Sequence, residues 1–165
     1  EIVRRFHSLY AKDIFPEPEP LLTKVPKLLG LDNRKMSKSF GNFIALGATA
    51  DTVSEKVRQM ITDPARIKRE DRGHPDVCNV FSYYNVFADA EKAAEVRDYC
   101  ECAKKGCIEC KQDLAKIITA HLAPIQEKRA KLKDADVERI LEDGNKKYKA
   151  CAADAMREVR KVVFS

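Results

Sequence analysis

The sequence predicts a mainly α-helical chain, in which a helical bundle follows a shorter region of mixed structure, with the boundary near Gly47. Three observations carry this expectation. Beyond Asp51, apolar residues recur at helical spacing almost to the last residue. Residues that start and stop helices stand between those stripes. Before Gly47, by contrast, four prolines and a polar, glycine-containing loop interrupt any regular pattern.

In chain order, residues 1–14 place Ile2, Phe6, Leu9 and Tyr10 on one helical stripe. Pro16, Pro18 and Pro20 then exclude regular helix, because each lacks a backbone N–H, and predict an extended linker. Lys24–Asn33 reads as a short strand or hairpin, and Asn33–Gly47 as a loop. Val53, Val57, Met60 and Ile61 mark the next helix, with Thr52 and Glu55 as its capping box and Asp63-Pro64 as its stop. Asp76 is the expected cap of a helix bearing Val77, Val80, Phe81, Tyr84 and Phe87, and another runs from about Asp89 to Tyr99. After Cys110, Leu114, Ile117, Ile118, His121, Leu122, Ile125 and Leu132 form one long stripe, kinked at Pro124. Val137, Ile140, Leu141, Tyr148, Cys151, Ala155, Val159 and Val162 mark one or two final helices around Gly144. His121 and Tyr148 lie on these stripes and are expected in the core.

The 165 residues are 44% hydrophobic and 35% charged, the balance of a globular protein in water. No run approaches the roughly 20 apolar residues of a membrane span, and nothing near Glu1 reads as a secretory segment, so a cytoplasmic chain is expected. The chain opens at Glu1 inside a helical stripe, which leads us to expect a fragment of a longer protein. The net charge is +5, and residues 144–165 concentrate six cations (Lys146, Lys147, Lys149, Arg157, Arg160 and Lys161) against Asp154 and Glu158. On charge alone this run is a solvated helix face, yet it also suits a polyanion.

The most informative stretch is Arg34-Lys35-Met36-Ser37-Lys38-Ser39-Phe40-Gly41-Asn42. Two lysines three apart, set among hydroxyl residues and followed by glycine, suit a mobile loop that closes on phosphates. Ammonium groups that meet charge only as it develops lower a barrier by a few kcal/mol. Ser37 and Ser39 add hydroxyl donors. Lys-Met-Ser-Lys-Ser is identical to the second signature of the class I aminoacyl-tRNA synthetases. The PEP segment at Pro16-Glu17-Pro18, Lys27-Leu28-Leu29-Gly30, Thr62-Asp63-Pro64-Ala65-Arg66, Leu122-Ala123-Pro124-Ile125 and Glu142-Asp143-Gly144-Asn145-Lys146 are similar to the tryptophanyl branch of that family.

This resemblance implies a homodimer that attaches tryptophan to its tRNA at the expense of ATP with Mg²⁺, through a Rossmann-like catalytic domain and a helical anticodon-binding domain. Residues 1–47 would then end the catalytic domain and residues 48–165 form the helical one. Lys35 and Lys38 would contact the ATP phosphates, with Met36, Ser37 and Ser39 shaping the loop. The first signature of class I, a HIGH-type tetrapeptide, is missing: His7, His74 and His121 lie in no such context. The fragment alone is therefore expected to be inactive.

Six cysteines stand out in such a chain. Cys107-x-x-Cys110 with Cys100 and Cys78 supplies four thiolates, the number that ligates Zn²⁺ or a [4Fe–4S] cluster. Zinc sites pair one CxxC with a second tight knuckle, whereas the second pair here is spread, which favours the bulkier cluster. Zinc and buried free thiols remain as alternatives. The set is similar to a subset of bacterial tryptophanyl synthetases with a [4Fe–4S] cluster in the anticodon-binding domain, although the first gap is one residue shorter here. That leaves Cys100 and Cys102 as rivals for one position, and the distance to Cys107 favours Cys100. With no second cluster motif and no cofactor fingerprint in the sequence, a structural role is expected, with the cluster pinning the loop around Gly106–Lys111.

Candidate tRNA contacts are Lys111, Lys146, Lys147, Lys149 and Arg157, since cations neutralise RNA phosphates. Two other readings are a stand-alone RNA-binding or iron–sulfur module, for which the lysine string has no use, and a fragment of a tyrosyl enzyme, against which the cysteines argue.

Overall fold

A computed structural model of the chain describes residues 1–23 and 25–164. Its helices are α1 (Ile2–Tyr10), α2 (Ala50–Gln59), α3 (Asn79–Phe87), α4 (Ala90–Glu101), α5 (Cys107–Lys131) and α6 (Asp134–Val163), with one 3₁₀ turn at Pro75–Val77. The expected mainly helical chain is what is found. Of the strand or hairpin expected over Lys24–Asn33, Lys24 lies outside the described residues. The rest forms no strand and contributes one antiparallel bridge, Leu29 to Lys35. The chain groups into two compact units, Glu1–Leu21 with Lys131–Ser165, and Leu22–Ala130.

In the first unit, α1 ends at Ala11, whose φ of 49° is the left-handed value that closes many helices. The chain then folds back. Phe6 packs on Tyr10 and on Phe15, with ring centroids 4.8 and 5.5 Å apart, and the Phe15 N–H donates to His7 Nε2 at 3.3 Å. With Nε2 accepting, the His7 proton sits on Nδ1, which faces Asp13 at 3.1 Å. Helix α6 is a single helix through Gly144, not two. A glycine inside a helix costs about 1 kcal/mol, too little to break one of this length. The Asp136 carboxylate accepts the Lys133 N–H at 3.2 Å to begin it. Tyr148, expected in the core, is 67% exposed.

The second unit holds the core: Val53, Val57, Met60, Val80, Tyr84, Leu114 and Ile118 are almost wholly buried, with Leu31, Phe81, Tyr83, Val96, Ala115 and Leu122 around them. Each such aliphatic side chain contributes about 1.5–3 kcal/mol relative to exposure. Helix α2 places Val53 and Val57 inward. Its cap is Thr49, whose hydroxyl accepts the Thr52 N–H at 3.2 Å, rather than the expected Thr52. The stop also differs, for α2 ends at Met60 and Asp63 shapes the turn beyond it. Helix α3 is rich in β-branched and aromatic residues, poor helix formers in isolation, and burial of Val80, Phe81, Tyr83 and Tyr84 holds it. Asp76 does not cap it but pairs with Arg97 at 2.6 Å. Asp89 caps α4 by accepting the Lys92 N–H at 2.7 Å. Helix α5 runs through Pro124, and His121, also expected in the core, is exposed on it with its ring edge-on to Phe87.

Candidate functional site

The lysine stretch leaves the core at Leu31 and returns at Asn42. The Leu31 N–H donates to the Asn42 carbonyl at 2.9 Å, and the Ile61 N–H to the Leu31 carbonyl at 3.0 Å. Two side chains of α3 grip the base of the loop. The Asn79 amide donates to the Gly30 carbonyl at 2.8 Å, and the Tyr83 hydroxyl to the Leu29 carbonyl at 2.7 Å. Burial pushes the Tyr83 phenol up to about 12, so it stays a donor. Asn33 turns the chain at φ 62°, a conformation that asparagine tolerates better than most residues. Arg34 pairs with Asp32 at 2.6 Å and lies over the Phe40 ring at 4.8 Å.

Asn42 is the knot of this loop. Its side chain donates to the Asp32 carboxylate at 2.7 Å and to the Lys35 carbonyl at 3.1 Å, and accepts the Ser37 N–H at 2.9 Å. The Asn42 hydrogen bond, with Arg34 beside it, holds the Asp32 carboxyl down at about 2. Ser37 and Ser39 share a hydroxyl hydrogen bond of 2.8 Å. Lys35, Lys38 and Ser39 are exposed, Met36 is 38% exposed and Ser37 half-buried. Neither the Lys35 nor the Lys38 ammonium has a partner among the described residues. The result is an exposed turn carrying two uncommitted cations above a buried polar anchor.

The second site lies in the same unit. Cys78 stands immediately before α3, Cys100 near the end of α4, and Cys107 and Cys110 in the first turn of α5. All four line one small hollow, with Val80, Tyr84, Val96 and Tyr99 as its apolar wall. Cys102 does not join them. It is exposed and its sulfur faces the Asp98 carboxylate at 3.5 Å, while Cys151 is exposed on α6. The sulfurs line the hollow without converging on one point: among the described residues no group of three or more His, Cys, Asp or Glu could hold a single metal ion.

The surroundings of the sulfurs pull in two directions. Burial pushes the Cys78 and Cys100 thiols up, and the Cys110 thiol to about 11, so without a positive partner they remain protonated. Yet the Phe81, Val80 and Asp63 N–H groups near Cys78 pull its pKa the other way, two of them at the start of α3. The Arg66 guanidinium approaches the Cys100 sulfur at 4.0 Å, and its Nε is buried without a hydrogen-bond partner. A metal-type cation in the hollow would displace the thiol protons, and N–H groups aimed at sulfur stabilise the anions that result. Tyr84 braces the wall by donating to the Cys110 carbonyl at 2.7 Å. Gly73 is required opposite, because a Cβ there would collide with the Cys100 sulfur.

A family model described as tRNA synthetases class I (W and Y) matches residues 1–123. The chain belongs to that family. Among similar curated proteins of this synthetase family, a tryptophan–tRNA ligase of Aquifex aeolicus is 41% identical over 99% of this chain and 42% of its own length. Another, of Thermotoga maritima, is 42% identical over 99% of this chain and 50% of its own length. The chain thus spans half or less of the curated relatives it matches. The solved tryptophanyl-tRNA synthetase of Campylobacter jejuni, complexed with ADP and tryptophan, superposes with a TM-score of 0.76 at 24% identity, covering 99% of this chain and 51% of that one. At that identity the likeness is one of fold. The tryptophanyl-tRNA synthetase of Aeropyrum pernix superposes with a TM-score of 0.56 at 29% identity over 61% of this chain.

The basic candidates are scattered. Lys111 is half-buried, its ammonium donates to the Arg58 carbonyl at 2.9 Å, and burial lowers its pKa. Lys146, Lys147, Lys149 and Arg157 are exposed on α6 in the other unit, with Lys147 over the Tyr148 ring and Arg157 paired with Asp154 at 2.9 Å. No helix among the described residues is long and apolar enough to cross a membrane. Sequence reasoning missed Asn42, Asp32, Arg66 and Tyr84. Asn42 closes the very string that drew attention, and only the return of the chain reveals its partners.

Proposed function

We propose that this chain is part of a tryptophan–tRNA ligase, with residues 1–47 ending the catalytic domain and residues 48–165 forming the anticodon-binding domain. The observation that carries the reading is the Lys-Met-Ser-Lys-Ser turn, exposed on an anchored base with both ammonium groups uncommitted among the described residues. The relatives of that name support tryptophan as the amino acid. In the first step a tryptophan carboxylate oxygen attacks the α-phosphorus of Mg²⁺-bound ATP, and the bond to the bridging oxygen breaks. Lys35 and Lys38 neutralise the charge that gathers on the departing pyrophosphate, Met36 shapes the turn, and Ser37 and Ser39 offer hydroxyl donors. In the second step a terminal ribose hydroxyl of the tRNA attacks the activated carbonyl and AMP leaves. The whole enzyme is, in this reading, a cytoplasmic homodimer.

Cys78, Cys100, Cys107 and Cys110 would hold a [4Fe–4S] cluster, supplying a structural crosslink and no electron transfer. What supports this reading is that the four thiols line one hollow and that backbone N–H groups face Cys78. Lys146, Lys147, Lys149 and Arg157 meet tRNA phosphates, and Lys111 joins them by exchanging its carbonyl partner for RNA. Charging assays on the full-length protein test the function: tryptophan is esterified to its tRNA and tyrosine is not. Tyrosine charging would move the protein to the other branch, and no charging of either would overturn the reading. Anaerobic purification with a visible spectrum and metal analysis tests the cluster, and a colourless, zinc-bearing protein would refute it.

A further inference from the structure

Asn42 has both amide hydrogens and its oxygen engaged at once, all on the inner limb of the lysine loop. It holds the Asp32 carboxylate, the Lys35 carbonyl and the Ser37 N–H. The partners fix which amide atom is which, since two acceptors face one and a donor faces the other. The residue is 5% exposed, so these bonds form away from competing water. Gly30 makes room for it, because a Cβ at Gly30 would overlap the Asn42 amide.

The outer limb is held differently. The Gly41 N–H closes a turn onto the Lys38 carbonyl at 3.1 Å, and Gly41 has a φ of 63°, which favours glycine. Lys56 donates to the Gly41 carbonyl at 3.0 Å. Between these ties Lys38, Ser39 and Phe40 are exposed. The loop therefore has a fixed limb bearing Lys35 and an exposed limb bearing Lys38, divided at Asn42.

We propose that Asn42 is a positioning residue for amino-acid activation: it sets the inner limb, and with it Lys35, so that only the Lys38 limb must move to reach the phosphates. This rests on the function proposed above. Preorganising one limb removes part of the ordering that closure would otherwise require. The residue touches no substrate, so its loss falls on the rate of activation rather than on tryptophan binding.

The test is tryptophan-dependent pyrophosphate exchange by the full-length protein. Asn42→Ala is expected to lower kcat at least about tenfold, with KM for tryptophan within about twofold. Asn42→Asp is expected to be worse than Ala, because it turns a carboxylate oxygen toward the Asp32 carboxylate and the Lys35 carbonyl. The exchanged pair Asp32→Asn with Asn42→Asp restores one donor between the two positions and is expected to recover part of the loss. A residue that only fills space would not give that order. An unchanged kcat in Asn42→Ala would overturn the proposal, as would a swap no better than Asn42→Asp alone. If Asn42→Ala does not fold, Asn42→Asp against the swap decides. Absence of exchange in the wild type would refute the proposed function instead, so the two failures are distinguishable.

Discussion

The lysine loop and the cysteine hollow lie in one compact unit and are built on opposite principles. The loop is a contiguous, exposed stretch, held at its base by hydrogen bonds from Asn42, Asn79 and Tyr83. The hollow gathers residues from the start of α3, the end of α4 and the start of α5, and apolar walls shield it. A site made of one stretch carries its chemistry in its own letters. A site made of three helix ends owes its chemistry to packing, so it fails when packing fails. They meet at α3, where Asn79 and Tyr83 face the loop while Val80 and Tyr84 face the hollow.

The sharpest way to break the comparison is to empty one site and ask whether the other survives. Cys110→Ser in the full-length protein removes one of the four proposed ligands, so bound iron after anaerobic reconstitution should fall to background. Pyrophosphate exchange should stay within about threefold, while tRNA charging falls at least about tenfold. Equal loss of exchange and charging would show that the sites are not separable. Next in size is Tyr84→Phe, which removes the hydroxyl bond to the half-buried Cys110 carbonyl and should cost up to about 1.5 kcal/mol by denaturant unfolding. Because α3 also grips the loop, that cost should appear as faster proteolysis at Lys35 and Lys38.

Smaller again is Thr49→Ala, which removes the cap of α2 and should cost about 1 kcal/mol. Thr52→Ala should cost clearly less, and the reverse order would restore Thr52 as the cap. The smallest effect is in acid. Asp32 is held at about 2 against an ordinary 3.8, first by Asn42 and then by Arg34. A depressed carboxylate stabilises the fold above its ordinary value and loses that contribution as pH falls through its folded value. The stability gap between wild type and Asp32→Asn should therefore be present near neutral pH and close between about pH 4 and pH 2. A gap that persists at pH 2 would show that Asp32 acts through packing rather than charge.

These residues also show where sequence was informative. Lys-Met-Ser-Lys-Ser was legible because its meaning lies in local order. Asn42, three residues on, was not, because its partners depend on Gly30 and Asp32 coming back alongside. The helical stripes were legible where they are buried, as at Val53, Val57, Leu114 and Ile118. They misled at His121 and Tyr148, since periodicity reports a face and not what covers it. The α2 cap was misread because Thr49 and Thr52 both suit capping, and the choice depends on where the first turn closes. Cysteine spacing named the four residues that line the hollow. It did not reveal Arg66, Tyr84 or the N–H groups that face Cys78.

In the proposed reaction the two ammonium groups of the loop act on the departing pyrophosphate. The most direct measurement is tryptophan-dependent pyrophosphate exchange by the full-length protein carrying Lys38→Ala, beside tryptophan binding by the same variant. The account predicts a fall in kcat of about a hundredfold or more, on the scale of one lost transition-state contact, with tryptophan affinity unchanged. Exchange at the wild-type rate would contradict it.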